Sequence, residues 1–172
     1  FAPRLLADAG LGFLIVNSFS KSMSLYGERA GALSLVCADR AEAELVLGQL
    51  KATVRRNYSS PPLHAAGIVA RVLGEPALRG RWEAEVAAMR ERILAMRRRL
   101  HAVLASAKPG RDFGYFLTQR GMFSYTGLTA AQVERLRAEY AVYLLRSGRI
   151  CVAGLNSGNV ERAAEAIAAV ID

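Results

Sequence analysis

At 172 residues and 52% apolar content, the chain suits one domain, or one and a piece of another, and can bury a core without a disulfide staple. That composition excludes a wholly disordered chain, and five prolines with 15 glycines exclude a collagen-like one. The formal net charge is +8, and of the 23 basic residues only Lys21, Lys51 and Lys108 are lysines, leaving 20 arginines. No apolar run approaches the roughly 18 residues of a membrane span, so no membrane association is expected. Arginine grips planar carboxylates and phosphates with a two-pronged fork. The expectation is a solvated, Arg-rich surface with a few arginines serving small anionic ligands, and no nucleic-acid partner. Cys37 and Cys151 lack metal-ligand spacing. No metal is expected, Cys37 reads as a buried thiol, and the setting as reducing and cytoplasmic.

Taken along the chain, residues 1–12 read like the later part of a helix and its loop, so the chain is expected to belong to a longer protein. FLIVNS (residues 13–18) and GALSLVC (residues 31–37) read as buried strands of an α/β sheet. The polar, Ser- and Gly-bearing loop between them is of the kind that holds ligands at strand ends. Asp39 can cap a helix from Arg40, with Leu45, Val46, Leu50 and Val54 at helical spacing. Paired prolines at residues 61 and 62 close that segment, and residues 63–73 read as another helix.

Val86, Met89, Ile93, Met96, Leu100 and Val103 are spaced 3, 4, 3, 4 and 3 apart. That seam predicts one amphipathic helix over residues 76–107, with Arg90, Arg92, Arg97, Arg98 and Arg99 largely on its solvated faces. After a turn at residues 108–111, short strands are expected near Tyr115–Leu117 and Met122–Tyr125. A helix capped by Thr129 follows, through Tyr140. Strand-like pieces then lie at Tyr143–Leu145 and Arg149–Val152, and an Ala-rich helix at residues 160–171.

The segment with the clearest chemistry is Ser18-Phe19-Ser20-Lys21, followed by Leu25-Tyr26-Gly27-Glu28-Arg29. A lysine at the end of a water-poor strand can lose its proton and attack a carbonyl. Two hydroxyls and a guanidinium beside it can hold a phosphate whose attached aldehyde reaches that amine. Pyridoxal phosphate carries both groups on one ring. By spacing alone, a surface lysine in a Ser-rich loop is the commoner explanation.

SFSKSMSLYGERAGAL resembles the cofactor-lysine segment of class I, fold type I, aminotransferases. KATVRRNYSSPP, QRGMFSYTGL and SGRICVAGLN resemble, in the same order, further segments of the aspartate and aromatic amino-acid group. SLYGER, MFSYTGL and CVAGLN are most similar to the bacterial aromatic (tyrosine) branch. The likeness runs from about residue 13 to the C-terminus. It implies an α/β fold: the end of a large pyridoxal-5'-phosphate-binding domain (residues 1–88), a long connecting helix, and a small α+β domain (residues 89–172).

The resemblance also implies roles. Lys21 matches the catalytic lysine that bonds to the cofactor and moves the proton at the substrate Cα. Ser18 and Arg29 match the phosphate ligands, with Ser20 beside them. Arg149 matches the arginine that grips the substrate α-carboxylate, and Phe123 an apolar wall near the substrate. Arg55, with Arg56 one residue away, matches the arginine that reaches into the partner's site of a homodimer and meets a side-chain carboxylate. Cys151, two residues beyond Arg149, should face the same side.

In the family, the residues that hold the cofactor ring precede the lysine, so this stretch is expected to be inactive alone. The implied parent reaction transfers an amino group from an aromatic or dicarboxylic amino acid to 2-oxoglutarate. The rival readings are an aspartate aminotransferase and a non-catalytic regulatory module that keeps the fold.

Overall fold

The computed structural model describes residues 2–171. Phe1 and Asp172, where the two expected domains begin and end, lie outside the described residues. The chain divides into two units, the first reaching Ala84 and the second beginning at Glu85.

In the first unit, helix α1 (Ala2–Asp8) precedes strands β1 (Phe13–Ser18) and β2 (Gly31–Val36). The strands pair antiparallel, with Phe13 opposite Val36 and Ser18 opposite Gly31. A Cβ at Gly31 would lie 2.7 Å from the Asn17 carbonyl oxygen, so glycine permits this close approach. The expected buried strands are therefore an exposed ladder: Leu14 is 63% and Val16 79% accessible. An apolar run is buried only where layers cover both faces, and a two-stranded ladder supplies no layer of its own. Cys37 is correspondingly half-buried, not buried.

Helix α2 (Arg40–Tyr58) begins as expected, the Asp39 carboxylate accepting from the Glu42 N–H. Val46, Leu50 and Val54 on its seam are half-buried, while Leu45 is exposed. Helix α3 (His64–Gly74) follows, burying Ala65 and Val69. Helix α4 (Pro76–Ala107) has the predicted bounds and 32 residues, about 48 Å at 1.5 Å per residue.

The second unit holds the main core. Leu100 and Leu104 of α4 meet Phe113, Phe116, Leu136, Val152 and Ile167, with Ile93, Met96 and Val103 packed against the cluster. The seam is thus the inward face of the helix in this unit. Arg97 departs from the expected solvated face. It is 1% exposed and donates to the carbonyls of Phe116, Gly121 and Phe123 and to Ser124 Oγ. A guanidinium is buried tolerably only with such a set of acceptors.

Tyr115–Thr118 forms a helical turn, α5, where a strand was expected. Phe113 and Phe116 are both buried. Residues three apart share a helical face, whereas strand alternation would send these two to opposite sides. Strands β3 (Phe123–Tyr125) and β4 (Arg149–Cys151) pair antiparallel. Tyr143–Leu145 forms no strand. Tyr143 is 73% exposed, and Leu145 makes one long backbone bond to Arg149. Helix α6 (Ala130–Tyr140) carries the expected Thr129 cap as a full capping box with Gln132. Helix α7 (Val160–Val170) buries one side of its Ala-rich surface. No helix among the described residues is long and apolar enough to cross a membrane.

Candidate functional site

The β1–β2 loop brings four expected residues together in the first unit. Ser18 ends β1 and donates from Oγ to Ser20 Oγ at 3.1 Å, while the Ser20 N–H reaches back to Ser18 Oγ. Ser20 is buried. Lys21 follows in a turn closed by Met23 N–H to the Phe19 carbonyl. Its Nζ lies 3.5 Å from the centroid of the Tyr26 ring, and the Arg29 guanidinium carbon lies 5.8 Å from the same centroid. Both distances are within the range of cation–π attraction.

Arg29 also donates to the Tyr26 carbonyl at 2.9 Å and makes no ion pair with neighbouring Glu28. Ser24 and Arg29 both adopt positive φ, 55° and 54°. Such conformations are uncommon in non-glycine residues and are held only where surroundings over-determine them. Part of that hold comes from Trp82 of α4, whose indole N–H donates to the Ser22 carbonyl at 2.7 Å.

Lys21 is exposed, not in a water-poor strand end, because the strands that lead to it are themselves uncovered. The donor set still fits a phosphate-bearing aldehyde. The guanidinium has five N–H donors and the loop uses one on Tyr26, and the amine and the guanidinium meet at one ring. Tyr26 stands inside the SLYGER motif, yet nothing in the spacing marked it. Only the folded loop shows that two cations share its ring. Arg55 is apart from this group. It lies exposed in the last turn of α2 and donates to Ser59 Oγ at 2.9 Å, with Arg56 exposed beside it.

In the second unit, Arg149 and Phe123 come together on β3–β4. The register pairs Tyr125 with Arg149 and Phe123 with Cys151. Ser124 and Ile150 point inward, leaving Phe123, Tyr125, Arg149 and Cys151 on the exposed face. The Arg149 guanidinium carbon stands 4.8 Å from the Phe123 ring centroid. A shallow hollow lies there, lined by Gln119, Arg120, Phe123, Tyr125, Ser147 and Arg149. Its floor is fixed from behind by Arg97, whose guanidinium is pushed below its usual value by burial first and by the Arg120 charge second. Gly148, at φ +80°, sets Arg149 in place: its carbonyl accepts from the N–H and hydroxyl of buried Thr126.

The family profile for aminotransferase class I and II matches residues 1–167. The chain belongs to that family. It is 62% identical over 171 residues to the aromatic-amino-acid aminotransferase of Escherichia coli, covering 99% of this chain and 43% of that protein. It is 52% identical over 170 residues to an aspartate aminotransferase of Pseudomonas aeruginosa, again across 99% and 43%. A crystal structure of the aromatic-amino-acid aminotransferase of Burkholderia pseudomallei, covalently bound to pyridoxal phosphate, superposes with a TM-score of 0.94 at 53% identity. It covers 99% of this chain and 43% of that one. The fold is therefore that of part of a fold type I transferase, and the chain spans less than half the length of these relatives.

Proposed function

We propose that the protein to which this chain belongs is a pyridoxal-phosphate aminotransferase that moves an amino group from an aromatic or dicarboxylic amino acid to 2-oxoglutarate. The observation that carries this reading is the meeting of Lys21 and Arg29 at the Tyr26 ring, on a loop that also presents Ser18 and Ser20. Pyridoxal phosphate, when bound, supplies an aldehyde for an amine and a sink for the electrons released at the substrate Cα. Arg29, aided by Ser18 and Ser20, would hold its phosphate, and Lys21 would hold its aldehyde end. The Lys21 amine then takes and returns the proton at the substrate Cα, as a general base and acid. The Arg149 fork binds and orients the α-carboxylate, with Phe123 as the apolar wall. Arg55 meets a side-chain carboxylate across a homodimer.

The first unit reads as the end of the large domain, and the second as the small domain. A cytoplasmic setting agrees with both thiols being free. The Pseudomonas relative favours a second reading, an aspartate-preferring enzyme. A non-catalytic module would have no use for Arg149 and Arg55.

Absorbance of the whole enzyme with pyridoxal phosphate tests the proposal. The expected result is a visible band that Lys21→Ala abolishes. Faster decay with tyrosine than with aspartate supports the aromatic branch, and the reverse order supports the second reading. No band in the whole enzyme overturns the proposal. The 172-residue chain by itself is expected to make no keto acid.

A further inference from the structure

Among the described residues, Tyr26 is the one aromatic side chain that meets both cations of the loop. It is 64% exposed, so burial does not explain its place. The loop nevertheless spends two positive-φ residues, Ser24 and Arg29, on the path that carries residue 26 between residues 21 and 29. The Arg29 guanidinium fastens the backbone at Tyr26 through its carbonyl while standing near the ring. The Lys21 ammonium sits closer, 3.5 Å from the centroid. At that distance the ring shields one side of Nζ from any incoming reagent. Two like charges on one ring also leave a net attraction for an anion arriving beside them.

We propose that Tyr26 is a positioning residue for the reactive amine. Its ring holds the Lys21 ammonium near Arg29, and Lys21 leaves that ring when a phosphate-bearing aldehyde arrives. The inference rests on the reading of Lys21 as the amine that takes the cofactor. In the capture step, the lysine ammonium gives up two protons as its nitrogen forms a double bond to the aldehyde carbon, and the carbonyl oxygen takes both protons and leaves as water.

The chain contains its own reference amines, Lys51 and Lys108. The experiment is reductive methylation of the chain with formaldehyde and cyanoborohydride, read at each lysine by peptide mapping. In Tyr26→Leu, Lys21 is expected to react roughly two- to fivefold faster relative to the two references. In Tyr26→Phe, which keeps the ring face, it is expected to match the parent. An unchanged rate in Tyr26→Leu, or an equal rise in Tyr26→Phe, overturns the proposal.

The indole N–H resonance of Trp82, the only tryptophan, shows whether the loop keeps its place. Should Tyr26→Leu lose that resonance position, the unaltered chain decides. The Lys21 ε-methylene protons are expected upfield of those of Lys51 and Lys108 through the ring current of Tyr26. Coincident shifts overturn the proposal.

A parallel reaction with pyridoxal phosphate, trapped by borohydride as a secondary amine, separates this inference from the functional reading. Trapping at Lys21 at one rate in all three proteins defeats the Tyr26 role and leaves the transaminase reading intact. No trapping at Lys21 in the whole enzyme, with the formaldehyde pattern as expected, defeats the transaminase reading alone.

Discussion

Arg97 and Ser124 meet inside the second unit, the guanidinium donating to the hydroxyl of a residue whose neighbours on β3, Phe123 and Tyr125, face outward. The inward and outward faces of one short strand are thereby set by a single buried cation. Arg97→Met would leave the carbonyls of Phe116, Gly121 and Phe123 without this donor. Only the bond to Phe116 is fully buried, the other two being partly so. A buried acceptor left unpaired costs about 1–3 kcal/mol, so the expected loss in urea unfolding of the chain is about 2 kcal/mol or more, with Arg97→Lys recovering part of it. A loss under about 1 kcal/mol would show that water replaces the guanidinium freely.

The burial of Arg97 leaves no mark in the sequence pattern. The apolar seam of α4 was legible because its spacing carries the signal, and its bounds follow from Pro76 and the turn after Ala107. A single arginine next to Met96 on the border of that seam carries no such signal. Its burial depends on three carbonyls and a hydroxyl 19 to 27 residues away in sequence. Caps at Asp39 and Thr129 were legible for the opposite reason, since donor and acceptor lie three residues apart. The exposure of β1 and Lys21 was not, because an apolar run says that a layer will cover it and not whether these residues supply the layer. Family motifs placed Ser18, Ser20, Lys21 and Arg29 on one loop, but the shared ring of Tyr26 is a property of the folded turn.

Gly148 offers a sharper test of local geometry. Its φ of +80° is a left-handed conformation, and an added Cβ would lie 3.0 Å from the Leu128 carbonyl oxygen and 3.1 Å from Thr126 Oγ1. Gly148→Ala is expected to cost about 1–3 kcal/mol. It should also disturb the Thr126–Gly148 pair that sets Arg149. Thermal unfolding measures the first effect, and the Arg149 Nε–H resonance the second. An unshifted midpoint would sink the prediction.

Tyr115 gives the second unit an alkaline limit. Its hydroxyl donates to the Thr126 carbonyl at 2.8 Å. Burial pushes the phenol above its usual value near 10, Arg111 partly offsets this, and Asp112 adds to it. The folded state therefore keeps its proton where the unfolded chain has lost it. The resulting stabilisation is full below the unfolded pKa and declines as pH rises through the folded one. Urea midpoints measured from pH 9 upward should fall more steeply for the parent than for Tyr115→Phe, which has no phenol to ionise. Parallel curves would contradict the assignment.

Phe123 presents a choice between two physical roles that kinetics can separate. As a wall it touches only the substrate side chain, so its loss should penalise aromatic substrates over aspartate. As the ring 4.8 Å from the Arg149 guanidinium carbon, it would steady the fork proposed to bind the α-carboxylate, a group every amino acid shares. Cation–π support at an exposed site contributes about 0.5–1 kcal/mol. Loss of that support in Phe123→Leu should raise KM for tyrosine and aspartate alike by roughly two- to fivefold, with kcat little changed. Because Phe123 is 40% exposed and Arg149 shares its face of the ladder, the second role is expected to dominate. Steady-state kinetics of the whole enzyme with both amino acids decides: equal rises support the fork, and a rise confined to tyrosine supports the wall.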